Sequence, residues 1–157
     1  CMALEGGICR LLKYTFHATD EVEPHLIILT GDTPPPHNDY PGHYEFSEAV
    51  VDAAEEMGVR GVVTVGGFIL PGVLKETFVA YSSGELFKRF LEAGAKKMPP
   101  GYITGPVGLI PAMAGERGME GVCLLGAVSS PVDDKEASFR VLRILLRALG
   151  LGLRPLG

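Results

Sequence analysis

The stretch from Gly101 to Ala127 places the strongest constraint on how this chain can fold. Its pattern predicts a short strand at Gly101–Thr104, a helix that ends near Arg117, and a second strand at Gly121–Gly126. A strand, a helix and a strand within about 30 residues have the size of one βαβ unit. Such a unit makes its strands parallel and places its helix on a face of the sheet. The stretch therefore predicts an α/β fold.

The rest of the chain adds elements of the same kind. The further strands are predicted at residues 8–18, His25–Thr30, Val59–Val65 and Thr77–Tyr81, of which His25–Thr30 has the apolar content of a central parallel strand. The further helices are predicted at His43–Met57, Gly84–Ala93 and from Ser129 to Leu149. Together they predict a single domain over residues 1–157, a three-layer α/β sandwich in which helices flank a mostly parallel central sheet.

Pro111 conflicts with the helix predicted before Arg117. A proline beyond the first turn removes a backbone hydrogen bond and clashes with the preceding turn, at a cost of about 3 kcal/mol. The helix therefore either kinks at Pro111 or begins near Ile110, and the sequence leaves both possibilities open.

Composition excludes several classes of function. The net charge is -5, which argues against nucleic acid or an anionic membrane as the main partner. No apolar run approaches the roughly 18 residues of a transmembrane helix. The mean hydropathy of +0.23 indicates apolar surface that one subunit does not bury. Three cysteines suggest no disulfide framework, so a reduced cytoplasmic location is expected.

Two patterns are weak signals of chemistry. Ser82 and Ser83 follow a predicted strand and precede a predicted helix, the context of a nucleophile elbow, but all four histidines precede them. The alternative is a helix N-cap serine. His37, Asp39 and His43 could bind zinc, but their spacing matches no common site. The sequence therefore predicts no catalytic residue, no metal and no cofactor.

The carboxyl ends of the predicted strands are the candidate binding edge, because ligands of open α/β sheets usually bind there. The residues predicted for this edge are Asp32, Gly66, Gly67, Gly105, Pro106 and Gly108. The turn at Gly105 could offer backbone N–H groups to an anion. The alternative, which we favour, is tight packing of strand and helix that requires glycine.

The last helix has more apolar surface than packing on a sheet requires. Glu136, Arg140, Arg143 and Arg147 project onto one narrow stripe at helical spacing, and nearly all the remaining arc is apolar. We expect one side to pack on the sheet and the other on a second subunit. The predicted oligomer interface is Phe139, Leu142, Leu145, Leu146 and Leu149. The alternative is burial beneath an N-terminal segment of the same chain.

Several segments resemble the proteasome assembly chaperone 2 family in its archaeal form. They are LIILTGD (Leu26–Asp32), the helix Glu45–Val59, VTVGGF (Val63–Phe68), GYITGPVGLI (Gly101–Ile110) and Glu116–Val128. The resemblance covers most of the chain, from about Leu26 to Leu149, and its most specific piece is the run from Tyr102 to Gly108. It implies a non-catalytic homo-oligomer that binds proteasome α-subunits.

Two departures from this family pattern are visible. The family domain opens with a further strand and helix, so the chain is expected to lack that first unit, and a partner subunit could complete the sheet. Some archaeal relatives end with a hydrophobic residue, a tyrosine and one further residue, a tail that docks into the proteasome α-ring. Leu156 stands in the place of the tyrosine.

Two functions from different classes remain open from the sequence. The first is a non-catalytic oligomeric binding protein, whose partners are itself and proteasome α-subunits. The second is a small-molecule or nucleotide-binding enzyme that acts at the carboxyl edge. A structural subunit of some other assembly cannot be separated from the first by sequence.

Overall fold

The structure, a computed structural model, describes residues 2–70, 75–129 and 134–152. The strands are β1 (Met2–Glu5), β2 (Ile8–Leu11), β3 (Tyr14–Thr19), β4 (Leu26–Gly31), β5 (Gly61–Ile69), β6 (Thr77–Tyr81), β7 (Lys96–Lys97) and β8 (Glu120–Val128). The helices are α1 (Tyr40–Glu56), α2 (Leu86–Glu92), α3 (Pro106–Glu116) and α4 (Lys135–Ala148). The predicted tail around Leu156 lies outside these ranges.

A four-stranded sheet with the order β5-β8-β6-β7 is the centre of the fold. β5 and β8 are parallel from Gly61 opposite Glu120 to Ile69 opposite Val128. β7 is parallel to β6, while β6 is antiparallel to β8. The prediction of a mixed α/β fold with a mostly parallel central sheet is confirmed.

The strand predicted at Gly101–Thr104 is absent, and so is the βαβ unit that it would have started. This segment has no strand geometry, and Tyr102 is 99% exposed. The reason is that β8 already has β5 on one edge and β6 on the other. An added strand next to β8 would have no free backbone groups with which to pair.

The two faces of the central sheet are covered by different helices. A Cβ at Gly126 of β8 would contact Val141 of α4, whereas the next side chain, Leu125, lies with Val107 of α3 beside Gly66. Neighbouring residues of a strand point to opposite faces. α3 therefore lies on one face of the sheet and α4 on the other.

Two clusters of buried side chains form the core. The cluster on the α4 face is Val79, Phe90, Ala95, Val122, Leu124, Val141 and Ala148. The second joins α1 to α3 and is Val51, Ala54, Ile110, Ala114 and Met119. Because α1 packs chiefly on α3, the division into three layers remains a prediction.

The first four strands form two antiparallel hairpins, β1 with β2 and β3 with β4. The prediction that His25–Thr30 is a central parallel strand is therefore wrong. Its residues pair with β3, as in Phe16 opposite Leu29, and not with the four-stranded sheet. A short connection joins β3 to β4, and a short connection favours antiparallel pairing with the neighbouring strand.

Aspartates decide where two helices begin. The Asp39 carboxylate accepts the Gly42 N–H at 3.0 Å, so α1 starts at Tyr40, three residues before the predicted start. The Asp134 carboxylate accepts the Ala137 N–H at 2.9 Å and starts α4 at Lys135. The start predicted for this helix at Ser129 is too early, and residues 130–133 lie outside the described ranges.

Candidate functional site at the start of α3

The start of α3 lies against β5 and requires glycine at positions where other groups of the chain come close. Gly105 precedes the helix with a φ of 78°, a conformation that glycine adopts without strain. A Cβ at Gly108 would lie 2.8 Å from Cγ2 of Ile103, and a Cβ at Gly66 would lie 3.0 Å from Cγ2 of Val107. Because Gly108 and Gly66 have no side chain, Ile103 and Val107 can pack close to the backbone there.

Gly66 and Gly67 lie inside β5, although the sequence pattern predicted that they end that strand. The strand continues to Ile69 because all nine residues pair with β8. Gly67 is less crowded than Gly66, since an added Cβ would meet only Val128, at 3.7 Å. The two glycines thus have different surroundings although they are adjacent.

α3 runs through Pro111 without ending there. Proline has no N–H, so the carbonyl of Val107, four residues earlier, loses its helical donor. The Thr64 hydroxyl of β5 donates to this carbonyl at 2.5 Å. The possibility that the helix begins near Ile110 is therefore wrong, and the backbone group that proline leaves free is satisfied from the sheet.

His43 is buried, with 6% of its surface exposed, and it faces the Gly105 turn. Its Nε2–H donates to the Pro36 carbonyl at 2.8 Å, because a carbonyl can only accept. Nδ1 lies 3.5 Å from the position of a Cβ on Gly105. His43 thereby joins the loop between β4 and α1, which contains Pro35 and Pro36, to the start of α3. The sequence singled it out only in the weak zinc pattern.

The three residues of that zinc pattern do not form a metal site. His43 is engaged with the carbonyls of the loop, and Asp39 caps α1. Within residues 2–70, 75–129 and 134–152, no group of three or more histidine, cysteine, aspartate or glutamate side chains is placed to hold a metal ion.

Asp32 is engaged elsewhere in the chain. Its carboxylate accepts from the Arg10 guanidinium at 2.7 and 2.9 Å and from the Lys13 N–H at 2.8 Å. The hydrogen bonds from Arg10 hold the pKa of Asp32 far below its usual range. The carboxylate therefore joins the two hairpins, and its hydrogen bonds do not reach the glycines at the start of α3.

The two serines of the elbow-like pattern donate to backbone carbonyls. Ser82 Oγ donates to the Pro111 carbonyl at 2.6 Å, and Ser83 Oγ donates to the Met119 carbonyl at 2.8 Å. Neither serine caps α2, whose N-cap residue is Glu85. The carboxylate of Glu120 in β8 instead accepts the N–H groups of Glu85 and Leu86, at 2.6 and 2.5 Å. The arrangement serves packing between elements.

The outer side of α4 is a candidate surface for a partner. Phe139 is 67% exposed and Leu142 is 40% exposed. Leu146 and Leu149 are half-buried, and Leu145 packs against the core on the α4 face. The residues predicted for an oligomer interface therefore divide into an outer stripe and one inward-facing leucine.

Two arginines lie beside the apolar residues on the outer side of α4. Arg143 and Arg147 are exposed and lie one turn apart. Among the described residues, neither makes an ion pair, whereas Arg140 donates to the Ala127 carbonyl at 2.9 Å. We define the α4 outer face as Phe139, Leu142, Arg143, Leu146 and Arg147. It combines apolar area with positive charge.

None of the described helices has the length and apolar content needed to cross a bilayer.

The PAC2 family model matches residues 2–155. Uncharacterized protein MJ1210 of Methanocaldococcus jannaschii is 32% identical over 141 residues, which are 88% of this chain and 54% of that protein. This chain therefore spans about half the length of MJ1210.

Among solved structures, Pyrococcus furiosus PbaB, described as an archaeal proteasome activator, has a TM-score of 0.85 and 27% identity. The match covers 98% of this chain and 69% of PbaB. P. furiosus PbaA, described as an archaeal homolog of proteasome-assembly chaperone, has a TM-score of 0.74 and 22% identity, over 98% of this chain and 65% of PbaA. The likeness to PbaA shows the fold alone.

Proposed function

Because this chain belongs to the PAC2 family, we propose that it is a non-catalytic, self-associating protein that binds proteasome α-subunits. We further propose that it acts in the cytoplasm. The likeness to PbaB, a proteasome activator, supports the proteasome as the target. The interaction with α-subunits and the self-association are our proposals.

The α4 outer face is the observation that carries this proposal. Burial of an apolar side chain is favourable by about 25 cal/mol per Å², so an exposed Phe139 beside Leu142 is an unused source of binding energy. Exposed apolar area rimmed by charge is typical of a protein-binding surface. The glycines at the start of α3, in contrast, serve close packing within the chain.

Retention of archaeal proteasome α-subunits on the immobilised chain tests the proposal. We expect retention by the unchanged protein and at least about tenfold weaker retention by Phe139→Ser/Leu142→Ser, because loss of the apolar contacts of α4 separates the copies and a single copy offers fewer contacts to the α-subunits at once. Tyr102→Ser is the control, since this residue is 99% exposed and lies outside α4 in the chain.

The form of the α-subunits adds a second comparison. Free α-subunits and assembled core particles are offered separately, because an assembly factor binds the first and an activator binds the second. No retention of either form by the unchanged protein would contradict the proposed function. Equal retention by all three proteins would mean that the α4 outer face does not contribute to binding of α-subunits.

A further inference from the structure

The α4 outer face carries two positive charges that no described carboxylate neutralises. Arg143 and Arg147 are exposed, one turn apart, and without an ion pair among the described residues. Phe139 and Leu142 lie beside them on the same helix and are exposed. A partner that fits this face needs carboxylates at the spacing of one helical turn, next to small or apolar groups.

The solvent side of α1 has that composition. Its exposed carboxylates, which we call the acidic ridge, are Glu45, Glu48, Asp52, Glu55 and Glu56. Ala49 and Tyr44 are exposed on the same helix.

Arg117 neutralises part of the charge of the acidic ridge. Arg117 pairs with Asp52, with Glu55 at 3.2 Å and with Glu48 at 3.7 Å. Glu45 and Glu56 make no ion pair among the described residues. Five carboxylates against one arginine leave the ridge strongly negative.

We propose that the α4 outer face of one copy of this chain binds the acidic ridge of α1 on a second copy. Residues four apart on a helix are separated by about 6 Å along its axis, so Arg143 and Arg147 match successive carboxylates of the ridge in spacing. Complementary charge fixes the register of such a contact, and burial of Phe139 and Leu142 against Ala49 and Tyr44 supplies apolar area. The inference rests on the self-association in the proposed function.

The location of the two helices determines the kind of assembly. α4 packs on one face of the central sheet, while α1 packs on α3, which covers the other face. A contact between α4 and α1 therefore joins the α4 side of one copy to the α3 side of the next. Such a contact uses two different surfaces, so it continues from copy to copy and produces a closed ring or an open stack.

Charge reversal on α4 tests the contact. We expect Arg143→Glu/Arg147→Glu to weaken self-association by about tenfold or more, measured by sedimentation velocity and by light scattering after size exclusion, because like charges would then face each other. Arg89→Glu/Lys97→Glu is the matched control, since both residues are exposed and lie outside α1 and α4. Circular dichroism of every variant verifies that it is folded.

A second reversal on α1 makes the test specific. Glu45→Arg/Glu48→Arg places two positive charges one helical turn apart on the ridge, the spacing of Arg143 and Arg147, and disturbs only the longest contact of Arg117, and we expect the same loss as for the α4 variant. An equimolar mixture of the α1 and α4 variants has complementary charges at both kinds of contact, so it should form assemblies in which the two variants alternate. The chain that carries all four substitutions should recover self-association to within about threefold of the unchanged protein.

Each result decides between the alternatives. Loss in both double variants with recovery in the combined chain supports the contact. Unchanged self-association in the α4 variant, or no recovery in the combined chain, overturns it. A monomeric unchanged protein at all concentrations also overturns it, whereas retention of α-subunits by that monomer would leave the binding part of the proposed function in place.

Discussion

The Thr64 hydroxyl donates a hydrogen bond to the Val107 carbonyl, the group that Pro111 leaves without its helical donor. β5 thereby completes the hydrogen bonding of α3 across 43 residues of sequence. A carbonyl that is partly buried and has no partner is costly, so this bond allows proline inside the helix. The bond also holds the start of α3 against the central sheet.

Removal of this hydroxyl should destabilise the fold. We expect Thr64→Val, which keeps the shape of the side chain, to lower the free energy of unfolding by about 1–3 kcal/mol, because the Val107 carbonyl would be unsatisfied. Thr64→Ser retains the donor and should cost less. Urea denaturation measures both. In a Pro111→Ala background the helix regains its own donor, so the cost of Thr64→Val should fall; an equal cost in both backgrounds would contradict this explanation.

Gly121 should tolerate no side chain. A Cβ there would lie 2.0 Å from the Pro111 carbonyl oxygen and 2.3 Å from Ser82 Oγ. Because backbone cannot move away cheaply, we expect Gly121→Ala to cost about 3 kcal/mol or more, at the upper end for overpacked cores. Gly101→Ala is the control, since an added Cβ there would meet nothing within 4 Å. Thermal unfolding compares the two, and similar melting temperatures would refute the predicted clash.

The Glu120 carboxylate should stabilise the start of α2. It accepts two backbone N–H groups, those of Glu85 and Leu86, from across the sheet. We expect Glu120→Ala to lower the free energy of unfolding by about 1–2 kcal/mol, the usual cost of losing a helix cap. Glu92→Ala, at an exposed position in α2, is the control. Faster amide exchange confined to α2 would identify the cap as the cause, and unchanged exchange there would argue against it.

The ion pair of Asp32 with Arg10, which joins the two hairpins, should depend on pH. The Arg10 guanidinium lowers the pKa of Asp32 below its ordinary value, so the carboxylate is charged more readily in the folded chain. The stabilisation is therefore complete above about pH 4, the ordinary pKa, and is lost as the pH falls through the lower folded-state pKa.

Exchange of the Lys13 amide, which donates to Asp32 at 2.8 Å, reports this ion pair. We expect Asp32→Asn to increase exchange at pH 6 and the difference from the unchanged protein to shrink in strong acid. Asp20→Asn, at an exposed position between β3 and β4, controls for the loss of one charge. A difference that grows as the pH falls would have the wrong sign.

Patterns of local spacing identified most of the elements. The buried run within β8 and the apolar spacing of α1 place these elements close to their observed bounds, because periodicity reflects which side chains face the core. The apolar excess of the last helix likewise anticipated the exposure of Phe139 and Leu142. The segment Gly101–Thr104 resembled a strand equally well but pairs with no strand of the central sheet.

The sequence by itself determined the family and the α/β class and predicted the candidate surface of α4, because each depends on residues close together in the chain. The tertiary structure alone decided that β4 pairs with β3, that Asp32 binds Arg10, and that Thr64 completes α3. These choices depend on contacts between distant segments, and a strand or a carboxylate carries no local signal of which distant partner it will meet.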